Sequence, residues 1–288
     1  MRILVIGGNG MAGHMLLQYL TKRTDYEVFY TVRSTSASVC EVVKADRATQ
    51  LYLDTLDVPA VKETIRLVKP DVIVNCVGIL NDFAREHALE AYQINGKLPH
   101  ELAKTVEAYG GRLVHISSDC VYSGNRGNYE EHHIPDGTSV YAKTKALGEV
   151  KAYPHITVRT SIIGPEIRKD GIGLMHWFFR QQGAVKGFTK VPWNGVTTLE
   201  LVKFIHHAIE RGPELHGLVH LTAAETVSKC ELLQLFQQVF GKKDVVIEPD
   251  DAIVLDRTLI CTRNDLGYQA PGYEAMLGEL RDWMCAVP

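Results

Sequence analysis

The sequence holds no apolar run long enough to span a bilayer, which takes about 18–20 residues. Glycines interrupt the apolar start Ile3–Ile6 before a leader-like stretch can build. Neither a membrane-embedded chain nor a secreted one is expected. Cysteines are sparse, six in 288 residues, and Cys40, Cys76, Cys120, Cys230, Cys261 and Cys285 form no C-x-x-C pair and no zinc spacing. That excludes a disulfide framework and points to reduced thiols in a cytoplasmic protein. Charge of one sign is also lacking. With a net charge of −3 there is no basic field to draw in nucleic acid or anionic lipid, so an anionic ligand must be held by a local site. The adjacent His132 and His133 sit beside Glu130 and Glu131 in what reads as a solvated acidic loop, and no metal site is expected. Repeats and low-complexity tracts are missing too. What remains is a globular composition, 45% hydrophobic, enough for one large domain or two modest ones sharing a core.

The first half alternates strand and helix signals. Strands are expected at Ile3–Ile6, Glu27–Val32, Val72–Val74, Leu113–Ser117 and Ile156–Val158. Helices are expected over Met11–Lys22, Val58–Val68, one long helix from Glu86 to Ala108, and Val140–Lys151. This order argues for an α/β fold with a doubly wound parallel sheet. From Gly164 the pattern becomes helix-rich and less regular. The helix Leu199–Ile209 and the strand Leu218–Leu221 could rejoin the sheet, while Cys230–Phe240 and Glu274–Met284 read as helices of a smaller lobe. The expected division is 1–163, with 195–222 rejoining it, and a lobe made mainly of 164–288.

The turn Ile6-Gly7-Gly8-Asn9-Gly10-Met11-Ala12-Gly13 joins the first strand to the first helix. It fits G-x-G-x-x-G from Gly8 and G-x-x-G-x-x-G from Gly7. Glycines there let the backbone approach a pyrophosphate at the positive end of a helix. Gly7, Asn9, Gly10, Met11 and Gly13 are therefore candidates to hold a dinucleotide. An acid at the end of the second strand would bind the ribose hydroxyls of NAD. The chain has Arg33 and Ser34 there, which suit a 2′-phosphate, so NADP is the expected cofactor.

Tyr141 and Lys145 form the only Tyr-x-x-x-Lys of the chain, on one face of an expected helix. Ser118 stands just past an apolar strand, at the cleft edge where ligands bind in open α/β sheets. Carbonyl reduction needs a proton at oxygen while hydride reaches carbon. Tyr141 can donate it, Lys145 can lower the phenol's pKa and hold a ribose, and Ser118 can bond the carbonyl oxygen. These three are the expected catalytic residues.

Together these residues resemble the extended short-chain dehydrogenase/reductase superfamily, and within it the dTDP-4-dehydrorhamnose reductases and related nucleotide-sugar reductases. The resemblance runs over nearly the whole chain, through the glycine turn, Leu53-Asp54-Thr55-Leu56-Asp57, Asn75-Cys76-Val77-Gly78, Ser117-Ser118-Asp119, Tyr141 to Lys145, and Arg159-Thr160-Ser161. It implies a Rossmann-like sheet with a smaller C-terminal substrate lobe. It also implies NADPH-dependent reduction of the keto group of a nucleotide-activated 4-keto-6-deoxy sugar, in deoxysugar or surface polysaccharide biosynthesis. Asp54 and Thr55 would lie near the adenine, and Cys76, Val77 and Gly78 would line the nicotinamide side. Asn95 would support the active-site backbone. Asp119 and Cys120 would meet the substrate beside Ser118, and Arg257 would reach it from the substrate lobe.

Two departures leave the sugar open. Ile162 stands where the rhamnose reductases usually carry a tryptophan, and Gly195-Val196-Thr197-Thr198 replaces Gly-x-Pro-Thr. Trp177 or Trp193 could supply a sugar-facing ring, or either could be a core aromatic. A dehydratase is disfavoured because Cys120 cannot serve as the carboxylate base of water elimination. The alternatives are a nucleotide-sugar 4-epimerase holding oxidised NAD and a non-catalytic NADP-binding regulatory subunit. A homodimer is left open.

Overall fold

The computed structural model describes residues 1–33, 47–168 and 171–286. Ser34 and Cys40 lie outside the described residues. Seven parallel strands form the central sheet: β1 (Arg2–Ile6), β2 (Glu27–Val32), β3 (Ala48–Tyr52), β4 (Val72–Asn75), β5 (Arg112–Ile116), β6 (Ile156–Arg159) and β11 (Gly217–His220), in the order β11-β6-β5-β4-β1-β2-β3. The order reverses between β1 and β4, which is where open α/β sheets bind ligands.

Successive side chains of a strand point to opposite faces, and here both faces are apolar. Ile3 and Val5 of β1 pack on one side with Met15, Leu16 and Leu20 of helix α1 (Met11–Arg23). Leu4 and Ile6 pack on the other side with Val61 and Ile65 of α2 (Val58–Val68). Continuous apolar strands are what a sheet covered by helices on both faces requires.

The expected long helix Glu86–Ala108 is instead a broken series. Helix α3 (Asn81–Glu86) is followed by α4 (Ala88–Ala91), a π-helical turn Tyr92–Lys97 and α5 (Leu98–Glu107). His87 leaves helical geometry at φ −115°, ψ 53°, and Pro99 lacks the N–H needed to continue a ladder through the first turn of α5. Helix α6 (Val140–Leu147) ends at Gly148, short of Lys151, and Gly148 packs against the Asn95 carbonyl, where a Cβ would lie 1.9 Å from the oxygen.

Beyond β6 lie the short β7 (Ile162–Ile163), helix α7 (Leu174–Phe179), and strands β8 (Gly183–Phe188), β9 (Pro192–Trp193) and β10 (Val196–Thr197). Helix α8 (Thr198–Arg211) leads to β11, which pairs with β6 at the edge of the central sheet. After β12 (Val227–Ser228) come α9 (Lys229–Phe240), β13 (Val245–Asp250) and α10 (Tyr273–Ala286). Among the described residues seven strands went unrecognised in the sequence: the two-residue β7, β9, β10 and β12, and the longer β3, β8 and β13. β3 is a half-exposed edge, and β8 and β13 form a separate parallel pair whose exposed positions carry Lys186 and Glu248.

Candidate active site

The glycine turn lies at the carboxyl end of β1. Gly7 has φ +86°, and a Cβ there would come 2.5 Å from Val77 Cγ2. A Cβ on Gly13 would come 2.1 Å from the Gly7 oxygen, so that glycine lets strand and helix touch. At Gly10 nothing of the protein would stand closer than 3.5 Å. Gly10 is the N-cap of α1, with no capping side chain and no acid in the first turn. The open space and uncapped amides fit a pyrophosphate, with Asn9 and Met11 flanking the same turn. Arg33 is exposed just past β2. Asp54 and Thr55 follow β3, where the Asp54 carboxylate accepts from Leu56 N at 3.0 Å. Cys76, Val77 and Gly78 follow β4 across the switch point from the glycines.

Ser118 caps a 3₁₀ turn (Asp119–Val121) just past β5. Its Oγ donates to Asp119 Oδ1 at 3.0 Å and accepts from Cys120 N at 3.1 Å. The Ser118 hydroxyl lies near enough to the Tyr141 phenol to act on its pKa. Burial holds that phenol well above its ordinary pKa, reinforced by Cys120 and Asp119 and opposed by Ser118. Tyr141 is therefore fully protonated at neutral pH, the state a proton donor needs.

Lys145, 4% exposed, donates to Ile116 O at 2.7 Å. Burial pushes its ammonium down to about 8, against Glu149 and Cys76. Its charge acts on Cys76 and His115, while the groups acting on Tyr141 are Cys120, Ser118 and Asp119. Lys145 is not among the groups that act on the phenol, so the lowering expected from it does not arise here and burial dominates.

Buried amides hold these pieces together. Asn95 projects from the π-helical turn, accepts from Ile79 N at 2.8 Å, and donates to Ile79 O at 2.8 Å and to Thr144 Oγ1 at 3.1 Å. It ties the loop after β4 to the helix that carries Tyr141 and Lys145. Asn75 accepts from Val77 N at 3.2 Å and stands 3.1 Å from His115 Nδ1. His115 Nε2 is 3.5 Å from Lys145 Nζ. The resemblance pointed to Asn95; nothing in the sequence singled out Asn75 or His115.

The remaining predicted residues fall in two groups. Asp119 is buried at the Ser118 corner, its pKa raised by burial and opposed by Lys229, Ser118 and Arg257. Burial and Asp119 push the Cys120 thiol up to about 12. Arg257 donates to Tyr122 O at 3.0 Å and to Cys120 Sγ at 3.4 Å. Trp193 is 4% exposed and stacks on Tyr273 at 5.6 Å, the packing of a core aromatic. Trp177 is exposed on α7. Lys229, which the sequence did not flag, lies over the Trp193 ring and acts on Asp119. Glu130, His132 and His133 do come together, with ligand atoms within 4.8 Å of one another. The Glu130 N–H occupies His133 Nδ1 at 2.8 Å, so that nitrogen is not free for a metal.

Under the site lies a buried ion pair. Arg159 Nη2 donates to Glu149 Oε2 at 2.6 Å, and Ser117 Oγ donates to Glu149 Oε1 at 3.0 Å. Arg159 also bonds the Tyr122 hydroxyl, and its Nη1 is 3.3 Å from His220 Nε2. His220 Nδ1 donates to Ile260 O at 2.9 Å, which leaves Nε2 as the acceptor from Arg159. A second proton on His220 would face a guanidinium. Burial pushes His220 down to about 4, opposed by Glu131 and assisted by Arg159. A folded-state pKa below the unfolded value of 6.5 means the unfolded chain binds the proton first. This contribution is complete above pH 6.5 and is lost between 6.5 and about 4, to a total of about 3 kcal/mol. Urea unfolding at pH 7.5 and pH 5 should show the loss, and His220→Gln should flatten it; equal slopes in parent and variant would count against it.

Residues 1–253 match a protein family described as RmlD substrate binding domain. The chain is 27% identical over 255 residues to the methionine adenosyltransferase 2 subunit beta of Danio rerio, covering 83% of this chain and 74% of that protein. It is 26% identical to a probable dTDP-4,6-dihydroxy-2-methyloxan-3-one 4-ketoreductase of Streptomyces antibioticus, over 100% of this chain and 93% of that one. Its fold is similar to that of a dTDP-4-dehydrorhamnose reductase of Bacillus anthracis solved in complex with NADP, with a TM-score of 0.78 at 21% identity over 98% of this chain and 99% of that one.

Proposed function

Because the chain belongs to the family of RmlD substrate binding domains, we propose that it is an NADPH-dependent reductase of a nucleotide-activated 4-keto-6-deoxy sugar. The observation that carries this reading is the meeting of Ser118, the protonated Tyr141 and the buried Lys145 at the carboxyl edge of the sheet, across the switch point from an uncapped glycine turn. The turn of Gly7, Gly10 and Gly13 would hold the NADPH pyrophosphate, and the bound cofactor would supply the hydride for the carbonyl carbon. Ser118 bonds the carbonyl oxygen and steadies the negative charge that develops there, and Tyr141 delivers its proton to the same oxygen. Lys145 holds the nicotinamide ribose. Residues 1–163 with 195–222 serve as the cofactor-binding part, and the rest of 164–288 supplies Arg257 and most of the substrate contacts. The reaction belongs to the cytoplasm; among the described residues no helix is long and apolar enough to cross a membrane.

NADPH oxidation against a panel of nucleotide-linked 4-keto-6-deoxy sugars tests the reading, with turnover on at least one expected. The similarity to a protein named as an adenosyltransferase subunit favours a second reading, a cofactor-binding subunit without turnover of its own. NADPH binding with no reduction on the whole panel would put that reading first.

Cofactor choice rests on Arg33, since a guanidinium at the end of β2 pairs with a 2′-phosphate where an acid would bind ribose hydroxyls. Arg33→Ala is expected to weaken NADPH about ten- to a hundredfold while leaving NADH nearly unchanged. Dissociation constants for both cofactors decide it. Equal weakening would remove Arg33 from the phosphate site and reopen the NAD-holding epimerase.

A further inference from the structure

Lys229 opens α9 behind a reciprocal cap. Ser228 Oγ accepts from Glu231 N at 3.1 Å, and Ser228 N donates to Glu231 Oε2 at 2.6 Å. The Lys229 N–H bonds Val191 O at 3.0 Å, and β12 pairs with β9 through Val227 and Trp193. The start of the helix is thereby pinned to β9, and the Lys229 ammonium stands 4.4 Å from the centroid of the Trp193 ring. Next along the chain, Asn194 clamps Leu259 through both amide atoms, at 2.7 and 3.1 Å. The same short strand therefore fixes the segment that carries Arg257.

Two cations thus reach the Ser118–Asp119–Cys120 corner from outside the central sheet, and both act on the Asp119 carboxylate. They differ in one respect. Arg257 spends donors on Tyr122 O and Cys120 Sγ. The Lys229 ammonium has an aromatic face beneath it and, among the described residues, no hydrogen bond or ion pair. Burial pushes it down to about 8, opposed by Asp119 and Cys120. A half-buried ammonium without a bonded oxygen is costly, and a ligand oxygen placed there would remove that cost.

We propose that Lys229 is a specificity-determining residue whose ammonium, together with the Asp119 carboxylate, holds a hydroxyl of the substrate's sugar ring beside the carbonyl being reduced. The proposal rests on the reductase reading. A hydroxyl both accepts from an ammonium and donates to a carboxylate. A phosphate in the same place would meet the Asp119 charge, and a methylene would leave both groups unmatched. Trp193, buried and stacked on Tyr273, acts as the floor that aims the ammonium.

The test uses the full chain with Lys229→Met and Lys229→Arg. Steady-state reduction is measured with dTDP-4-keto-6-deoxymannose and with its analogue lacking the ring hydroxyl next to the carbonyl. NADPH and dTDP are titrated separately. Lys229→Met is expected to lose about ten- to a hundredfold in kcat/KM on the hydroxylated sugar and less than about threefold on the deoxy analogue. NADPH and dTDP should bind as in the parent, and Lys229→Arg should recover part of the loss. Equal losses on the two sugars, or weakened dTDP binding, would overturn the assignment, the latter in favour of a diphosphate contact. A parent that turns over both sugars with Lys229→Met unchanged overturns it alone. A parent that neither reduces nor binds any keto-sugar nucleotide overturns the reductase reading, and this proposal with it.

Discussion

Tyr141→Phe is expected to fold, to bind NADPH as the parent does, and to lose at least about a hundredfold in turnover. The ring packs at the margin of the core cluster that contains Leu4, Ile6 and Ile94, so removing one oxygen leaves that packing intact. What goes is the proton donor, and general acid catalysis is typically worth about 10²–10⁴ in rate. Because burial keeps the phenol protonated through neutral pH, the loss should be nearly constant between pH 6 and 8 and not confined to one limb of a pH profile. Two companion variants separate the roles. Ser118→Ala removes one bond to the carbonyl oxygen and should cost about 10²–10³ in turnover with cofactor affinity unchanged. Lys145→Met should lose turnover and cofactor affinity together. Single-turnover NADPH oxidation paired with cofactor titration reads all three. Turnover of Tyr141→Phe at the parent rate would show that the proton comes from elsewhere, and the proposed mechanism would fall.

Much of this site was legible in the sequence because its parts are local. The glycine turn, Ser118 past an apolar strand, and the i, i+4 pair on one helix each need only a few neighbouring residues to be recognised. The core of the sheet was legible for a similar reason, since strands covered on both faces become short apolar runs such as Ile3–Ile6 and Val72–Val74. β3, β8 and β13 were not legible, because edge and isolated strands carry Gln50, Lys186 and Glu248 and lose the apolar signature. The break at residues 87–97 was hidden because its cause is tertiary. The π-helical turn swings Asn95 inward to bond Ile79 and Thr144, and periodicity says nothing about that. Lys229 was invisible for the same reason: it is an ordinary helix-start lysine until β9 places Trp193 beneath it. Trp193, which the sequence left open between the sugar and the core, is buried and stacked on Tyr273.

Glu149→Ala is expected to destabilise the chain by about 3–5 kcal/mol, the largest loss of stability foreseen for a residue that touches neither cofactor nor substrate. Arg159 is fully buried, and Glu149 answers two of its nitrogens. Without the carboxylate the guanidinium keeps only the Tyr122 hydroxyl and His220 Nε2, neither of which carries a negative charge at neutral pH. The exposed Lys151, 3.7 Å from the same carboxylate, contributes little because water screens it. The sign of a second variant makes the argument testable. If the cost comes from an unpaired buried charge, replacing both partners (Glu149→Leu with Arg159→Met) should be less destabilising than Glu149→Ala alone, since apolar replacement of a whole buried pair is often nearly neutral. Urea unfolding monitored at pH 7.5 gives both values. A double variant at least as unstable as the single one would mean that the pair adds stability in its own right beyond neutralising Arg159. A Glu149→Ala midpoint within about 1 kcal/mol of the parent would mean that water reaches the guanidinium and that the pair does not hold this end of β6. Catalysis should follow stability only in part. Glu149 also accepts from the Ser117 hydroxyl, one residue before Ser118, and helps keep the Lys145 ammonium charged, so the folded fraction of Glu149→Ala should show reduced turnover and weaker NADPH binding.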